Sequence, residues 1–477
     1  MEHIKTSYLS EVRDKEMTDL LLINPSWGYK KGNIWKKVSS CMPPLGLASI
    51  GAYLEEKGFK VKIIDMQAER LLPEELPLAI NGETPSFIGI TATTITIDNA
   101  YTIAKILKGL LPDSKIILGG VHPTVLPDEA LESPNIDYCI RGEGEETLLD
   151  LMEGKDPKNI PGLSYRSDGR IIHNPFRPPI LDLDTLPSPA YHLLPMNRYY
   201  PALGSYKRLP VISIMATRGC PGRCTFCYGD MLGKRIRYRS PSRLIKEIKY
   251  LMETHGIKEI QFYDDTFTAI QKNVREFSSL ILKEKINLSW SCFARVDTVD
   301  LETLRLMKEA GCHQIMYGVE SGDEEILKNI NKGTALDQAR EAVKLTKEVG
   351  IDVRAAFMLG NPGETEESIQ RTIQFALDLD PELCIFNITT PYPGTEMFKW
   401  AKENGYLSTE DWTKYDLSHM VMDLPTIAST RIEEYYHRVY RLFYLRPSYI
   451  LRKIFKISSL EGLQVNLRSL LGMLKKA

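Results

Sequence analysis

No apolar run in this 477-residue chain approaches the roughly 18 residues that a membrane-spanning helix requires, so no helical span is expected. Charge of one sign is also missing. Lys and Arg total 60 against 62 Asp and Glu, a net of −2, and no global field draws the chain toward nucleic acid. Gly and Pro, at 32 and 28, are too few for collagen-like or low-complexity disorder. No GxGxxG follows the first strand and no P-loop occurs, which removes the main support for dinucleotide or nucleoside triphosphate binding. Met1 to Glu16 carries both charge signs and no apolar core, so a secretory leader is not expected and the chain reads as cytoplasmic. In that setting, clustered cysteines suit metal or redox chemistry better than disulfides.

What is present divides into segments. At about 100–200 residues per domain the length suits two or three domains. From residue 18 short apolar runs alternate with amphipathic stretches, the pattern of strand-helix-strand units around a parallel sheet. Strands are expected at Leu20–Asn24, Val61–Asp65, Phe87–Thr91, Lys115–Leu118 and Tyr138–Ile140, with helices over Leu45–Glu56 and Asn99–Leu111. Residues 18–153 therefore read as a doubly wound α/β domain. Its ligands belong beyond the carboxyl ends of the strands, at Ser26, Thr93, Thr94, the Gly119-Gly120 turn and Arg141 to Glu145. Residues 154–209, rich in Pro, Arg, Tyr and Asp with little periodicity, read as a linker. Residues 210–400 carry six strand-helix repeats, with strands near 211–216, 259–263, 288–293, 314–318, 353–359 and 383–388. This is a partial (β/α)6 version of the eight-fold barrel, whose site lies at the carboxyl ends of its strands. Residues 401–477 read as a helical carboxyl-terminal region.

Eight cysteines are unevenly placed, and Cys220, Cys224 and Cys227 fall in one loop after the first barrel strand. Three ligands at CxxxCxxC spacing leave one corner of a four-iron cluster open, whereas a structural zinc wants four ligands. Zinc stays open as an alternative. With it stays a reading of another class, a binding or sensor module with a structural metal.

The segment Cys220-Pro-Gly-Arg-Cys224-Thr-Phe226-Cys227 resembles the CxxxCxΦC motif of the radical S-adenosylmethionine superfamily, with Phe226 as the aromatic residue. The resemblance extends through Tyr263-Asp264-Asp265-Thr266, Arg295, Gly318-Val319-Glu320-Ser321-Gly322 and Gly360-Asn361-Pro362-Gly363-Glu364, each after a barrel strand. It implies a 4Fe-4S cluster on Cys220, Cys224 and Cys227, with S-adenosylmethionine chelated to the open iron and cleaved to a 5′-deoxyadenosyl radical. By the same resemblance Phe226 lies near the adenine, Asp264 and Asp265 near the methionine amine, and Glu320 with Ser321 near the ribose or amine. Arg295 or Arg354 suits the methionine carboxylate; for these two arginines and Glu320, an ion pair in the barrel mouth is the competing reading. The family's usual Gly-Gly-Glu after the second strand is replaced by Asp264-Asp265-Thr266. Cys312 and Tyr317 are candidates for hydrogen-atom donation.

A doubly wound domain in front of such a barrel is similar to the cobalamin-binding subfamily, through Pro43-Pro44-Leu45-Gly46-Leu47, Gly119 to Thr124 and Arg141-Gly142-Glu143-Gly144-Glu145. The resemblance implies cobalamin contacts from Ser26, Thr93, Thr94, Gly119, Gly120 and Glu143, with the corrin between the two domains. The DxHxxG motif that supplies histidine to cobalt is missing, and His122 is expected to hydrogen-bond backbone instead. The reaction implied is methylation of an unactivated carbon. The alternative is a non-methylating oxidative cyclisation or ring rearrangement on a tetrapyrrole or lipid. A flavodoxin or ferredoxin is the expected electron donor and a small molecule the expected substrate.

The tail adds one substrate clue. Residues 438–477 hold nine basic residues against the single acid Glu461, interleaved with Tyr440, Phe443, Tyr444, Tyr449 and Ile450. Such a helix suits an anionic membrane surface and an apolar or lipid substrate; equally, its apolar face suits packing on the barrel.

Overall fold

The computed structural model describes residues 18–27, 40–202, 204–229 and 231–456. They form two compact units, one from the described residues up to 180 with 185–199 and one from residues 181–184 with those described from 200 onward.

The first unit is built on a seven-stranded sheet in the order β2-β1-β3-β4-β5-β6-β7. Strands β1 (Leu20–Asn24), β2 (Val61–Asp65), β3 (Phe87–Thr91), β4 (Lys115–Gly119) and β5 (Tyr138–Ile140) run parallel. Their near-continuous apolar runs follow from burial on both faces, and Leu20 to Ile23, Ile88, Ile90 and Ile116 to Leu118 are all buried. The helices Leu45–Glu56, Ile97–Leu110 and Glu145–Met152 cover them.

The expected linker over 154–209 is corrected here. Within it β6 (Leu163–Ser167) and β7 (Arg170–His173) form an antiparallel hairpin that extends this sheet. Asp168-Gly169 makes the turn, with φ of 49° and 72°, the doubly positive geometry of the two-residue hairpin loop.

The second unit holds six parallel strands in the order β15-β14-β13-β12-β11-β8. They are β8 (Val211–Ile214), β11 (Glu259–Phe262), β12 (Ser289–Ala294), β13 (Cys312–Glu320), β14 (Asp352–Leu359) and β15 (Leu383–Ile388). A short ribbon, β9 (Thr217–Arg218) against β10 (Arg237–Tyr238), stands between the first two. Alternate residues face opposite sides. Phe262 and Trp290 meet Phe277 of the helix Gln271–Lys283 on the outer face, at centroid distances of 5.3 and 5.6 Å. On the inner face Gln261 and Gln314 reach one segment, donating to Ser205 O (2.7 Å) and Gly204 O (3.1 Å). Glu259 accepts from the amides of Lys207 and Arg208. Residues 204–208 thus close the amino-terminal end of the barrel, which leaves its chemistry at the other.

Strands β8 and β15 are not paired, so the barrel is open at one side. The outer edge of β15 is satisfied by the helix Ser429–Tyr444 and its continuation. Tyr444 Oη accepts from Cys384 N (2.9 Å) and donates to Cys384 O (2.6 Å). Tyr440 Oη does the same at Phe386, at 3.2 and 2.8 Å, and Tyr449 donates to Glu382 O. The aromatic residues of 438–452 are therefore spent on the barrel, while Arg446 and Arg452 bind Asp380. Beyond residue 456 the basic tail lies outside the described residues. The region after 401 is also less helical than expected: an irregular stretch separates the helix Glu396–Glu403 from Ser429. Among the described residues, no helix is long and apolar enough to cross a membrane.

Candidate active site

The cysteine loop leaves β8 and returns through the β9-β10 ribbon. It is anchored by backbone: Cys220 N donates to Gly233 O, Thr225 N to Ile330 O, and Met397 N to Thr225 O. Asn331 Nδ2 holds Arg223 O at 2.9 Å. All eight cysteines are unpaired, and of the loop's three, Cys220 and Cys224 are half-buried and Cys227 exposed.

The loop fits a cluster. A Cβ on Gly222 would stand 3.4 Å from Cys220 Sγ, 3.8 Å from Cys224 Sγ and 3.6 Å from Arg295 Nη1, so the missing side chain leaves the space beside these sulfurs clear. Among the described residues no three His, Cys, Asp or Glu converge tightly enough for a single metal ion. Burial raises the pKa of the Cys224 thiol, and Lys332 and Arg295 oppose it. The same cations suit three thiolates gathered on one cluster.

The predicted S-adenosylmethionine residues separate into groups. Phe226 packs against Leu327, Ile330 and Met397, with Lys332 Nζ 5.9 Å from its ring centroid. Glu320, at φ 68°, pairs with Lys332 at 2.7 Å in a buried contact. A non-glycine residue in the left-handed region is sparsely populated and marks a constrained turn. Arg295 makes a two-pronged contact with Asp297 (3.0 and 2.9 Å) and donates to Lys332 O. Asp265 is exposed at the mouth and acts electrostatically on Cys227.

Two residues are committed elsewhere. Asp264 is buried and accepts from Ala216 N (3.2 Å) and Thr217 N, which fixes the approach to the cysteine loop. Burial raises its pKa to about 7. Ser321 is fully buried against Thr372 Oγ1 at 3.0 Å and accepts from Asp323 N. Arg354 lies deeper in the barrel, and its side-chain Nε is buried without a hydrogen bond among the described residues. Cys312 and Tyr317 depart from the expected role. Tyr317 Oη meets Thr346 on the outer helix Leu336–Glu348 at 2.8 Å, and Cys312 is buried beside Gln314 O.

Lys332 and Asp297 are the partners that sequence reasoning missed. Asp297 was within reach of the pattern, two residues after Arg295; Lys332 comes twelve residues after Glu320 across a helix and gave no local signal.

In the first unit the predicted cobalamin residues do gather at the carboxyl ends of the strands. Ser26 O accepts from Asn99 Nδ2 after β1, and Thr93 and Thr94 follow β3, Thr93 exposed and Thr94 buried. Gly119 and Gly120 end β4. A Cβ on Gly120 would stand 2.5 Å from Ala92 O, whereas one on Gly119 would meet nothing within 4 Å. Gly120 is thus demanded by loop packing at φ 105°, and Gly119 is the open one. Glu143, after β5, accepts from Ile180 N. His122 is completely buried, with Nδ1 3.3 Å from Thr94 Oγ1 and Nε2 3.4 Å from Glu129. Side chains of Thr94 and Glu129 thus engage both ring nitrogens.

Comparison with known proteins agrees with this arrangement. Residues 214–376 match the Radical SAM superfamily and residues 34–152 the B12 binding domain. An uncharacterized methyltransferase of Pyrococcus horikoshii is 38% identical over 448 residues, covering 93% of this chain and 95% of its own. The anaerobic magnesium-protoporphyrin IX monomethyl ester cyclase of Rubrivivax gelatinosus is 27% identical, covering 90% of this chain and 78% of its own. A radical S-adenosylmethionine methyltransferase from Kitasatospora setae, solved with cobalamin and a [4Fe-4S] cluster bound, shares the fold. Its TM-score is 0.68 at 21% identity, covering 82% of this chain and 76% of that one. S-adenosylmethionine, a 4Fe-4S cluster and cobalamin are the cofactors that these two domains bring. With its three cysteines at the mouth of an open parallel barrel and a B12 binding domain ahead of it, the chain belongs to the cobalamin-binding branch of the Radical SAM superfamily.

Proposed function

We propose that this enzyme methylates an unactivated carbon of a small molecule. The observation that carries the proposal is the set of three cysteines in one loop at the carboxyl-terminal mouth of a barrel preceded by a B12 binding domain. When bound, the cluster supplies the electron that cleaves S-adenosylmethionine and cobalamin carries the methyl group. The protein's own part is positioning. Cys220, Cys224 and Cys227 hold the cluster, and Arg295 and Lys332 supply positive charge beside them. Phe226 offers a flat apolar surface toward the adenine, and Glu320 and Asp265 offer carboxylates suited to an ammonium or ribose hydroxyls. Ser26, Thr93, Gly119 and Glu143 are the cobalamin contacts of this proposal.

The high identity to a relative named as a methyltransferase supports methyl transfer. The likeness to relatives named as magnesium-protoporphyrin cyclases supports a second reading, oxidative ring closure on a tetrapyrrole. Product analysis on anaerobically reconstituted enzyme separates them. Methyl transfer yields S-adenosylhomocysteine and 5′-deoxyadenosine together, while ring closure yields 5′-deoxyadenosine without matching S-adenosylhomocysteine. About four irons per chain and reductive cleavage are expected in either case; zinc without cleavage would sink both.

A further inference from the structure

Inside the curved sheet of the second unit, side chains lie in rows set by the strand register. Above the Glu259–Ser289 level, the row Gln261, Ser291, Gln314 and Asp352 is polar, and its two glutamines reach the closing segment. The next row runs from Phe293 through Met316 and Arg354 to Leu383. Tyr263, which directly follows β11, joins it by stacking on Phe293 with centroids 5.4 Å apart. Above that, toward the cysteine loop, stand Gly318 and Ala356, the two smallest side chains of the inner face. A Cβ on Gly318 would collide with Glu320 Oε1 and stand 3.1 Å from Lys332 Nζ, so the Glu320–Lys332 pair fills that level and the Arg354 cation lies in the aromatic and aliphatic row next to it.

Its neighbours set this cation apart. Arg295 is paired with Asp297 and Lys332 with Glu320, but Arg354 makes no ion pair among the described residues, and its Nε is buried without a hydrogen bond. Charges within electrostatic reach of Cys224 and Cys227 include Lys332, Arg295, Lys234, Glu320 and Asp265. Among the described residues, the groups that act electrostatically on Arg354 are the phenols of Tyr263 and Tyr444. Arg354 is half-buried, and its Nε lies out of water with no hydrogen bond, a deficit that an oxyanion entering the barrel would make good.

We propose that Arg354 anchors an oxyanion of the substrate, a carboxylate or a phosphate, whose apolar part lies along Tyr263 and Phe293 beneath the cysteine loop. The planar fork of a guanidinium matches either oxyanion in two-pronged fashion. This assignment replaces the expectation that Arg354 binds the methionine carboxylate, and it rests on the catalytic reading above for the direction in which the substrate faces.

Full-length enzyme, reconstituted without oxygen with cluster and cobalamin, is dialysed to equilibrium against phenylacetate, phenyl phosphate and the uncharged phenylacetamide. Wild type, Arg354→Lys and Arg354→Gln are compared, with S-adenosylmethionine binding and reductive cleavage measured on the same samples. An anionic probe should bind wild type, bind Arg354→Gln at least tenfold more weakly and bind Arg354→Lys with intermediate strength. The amide should not distinguish the three. S-adenosylmethionine affinity should stay within twofold throughout, and the stronger of the two anionic probes identifies the oxyanion. The proposal is overturned if neither acid binds wild type, if acid and amide bind alike, or if Arg354→Gln loses S-adenosylmethionine instead of the probe. Should Arg354→Gln not fold, Arg354→Lys binding the anion no better than the amide is equally decisive. Failure of wild type to cleave S-adenosylmethionine defeats the catalytic reading alone and leaves the probe binding interpretable.

Discussion

Buried carboxylates of the second unit show how a single residue couples its burial to pH. Glu364, fully buried, accepts from Gly360 N (2.7 Å) and Asn361 N (2.8 Å) and holds the turn that follows β14. Burial raises its pKa to about 7, because the amide bonds only partly offset the loss of water. An acid whose folded pKa is raised binds more protons folded than unfolded between the two values. Stability from this group is therefore complete below about pH 4 and lost as pH rises through about 7. At about 1.4 kcal/mol per pKa unit, the swing is on the order of 3 kcal/mol. Glu364→Gln should flatten the fall in melting midpoint between pH 5 and 8, as read by differential scanning fluorimetry. An unchanged slope would mean that the carboxyl is not the titrating group. At this scale the sequence showed the chemistry that is contiguous, such as Cys220 to Cys227. It did not show which of the neighbours Asp264 and Asp265 turns inward, since hydrogen bonds from Ala216 N and Thr217 N decide that. The inward placement of Arg354 is readable in hindsight from strand parity, with Val353 and Ala355 facing the helices and Arg354, Ala356 and Met358 the interior.

Among the elements, β15 has the most exposed position, as the last strand of an unclosed sheet. Bare edges invite pairing with other chains, and here tyrosine hydroxyls take the place of a neighbouring strand. Tyr440 and Tyr444, one helical turn apart, each bond both the N–H and the C=O of one β15 residue, and the two β15 residues are likewise two apart. One helical turn rises about 5.4 Å and two strand residues span about 6.6 Å, close enough for the two repeats to keep step. Removing a hydroxyl leaves a buried donor and acceptor unmet, so Tyr444→Phe should cost about 1–3 kcal/mol. Hydrogen exchange at Cys384 should accelerate while β13 and β14 stay protected; equal protection throughout would show that the hydroxyl is dispensable. The apolar runs made the parallel strands legible, and Asp168-Gly169 was a readable hairpin signal within an otherwise aperiodic stretch. The tyrosine contacts were not legible, because they join residues 54 to 60 positions apart through backbone atoms.

On the scale of the whole molecule, the chain is two cores joined in series, and its cofactor residues divide between them. The sheet of the first unit is closed by its own helices and by the β6-β7 hairpin, while within the second the cysteine loop is held at residues 233, 330, 331 and 397. Substituting one cysteine therefore removes a ligand without removing packing from the first core. In Cys224→Ala, iron content and 5′-deoxyadenosine formation should fall to background, because two cysteines are left for a cluster that needs three. Cobalamin should remain near the wild-type ratio after anaerobic reconstitution and gel filtration, read from its absorbance. Loss of cobalamin in step with iron would show that the first unit does not hold the corrin on its own residues, and would shift the binding role away from Ser26, Thr93, Gly119 and Glu143.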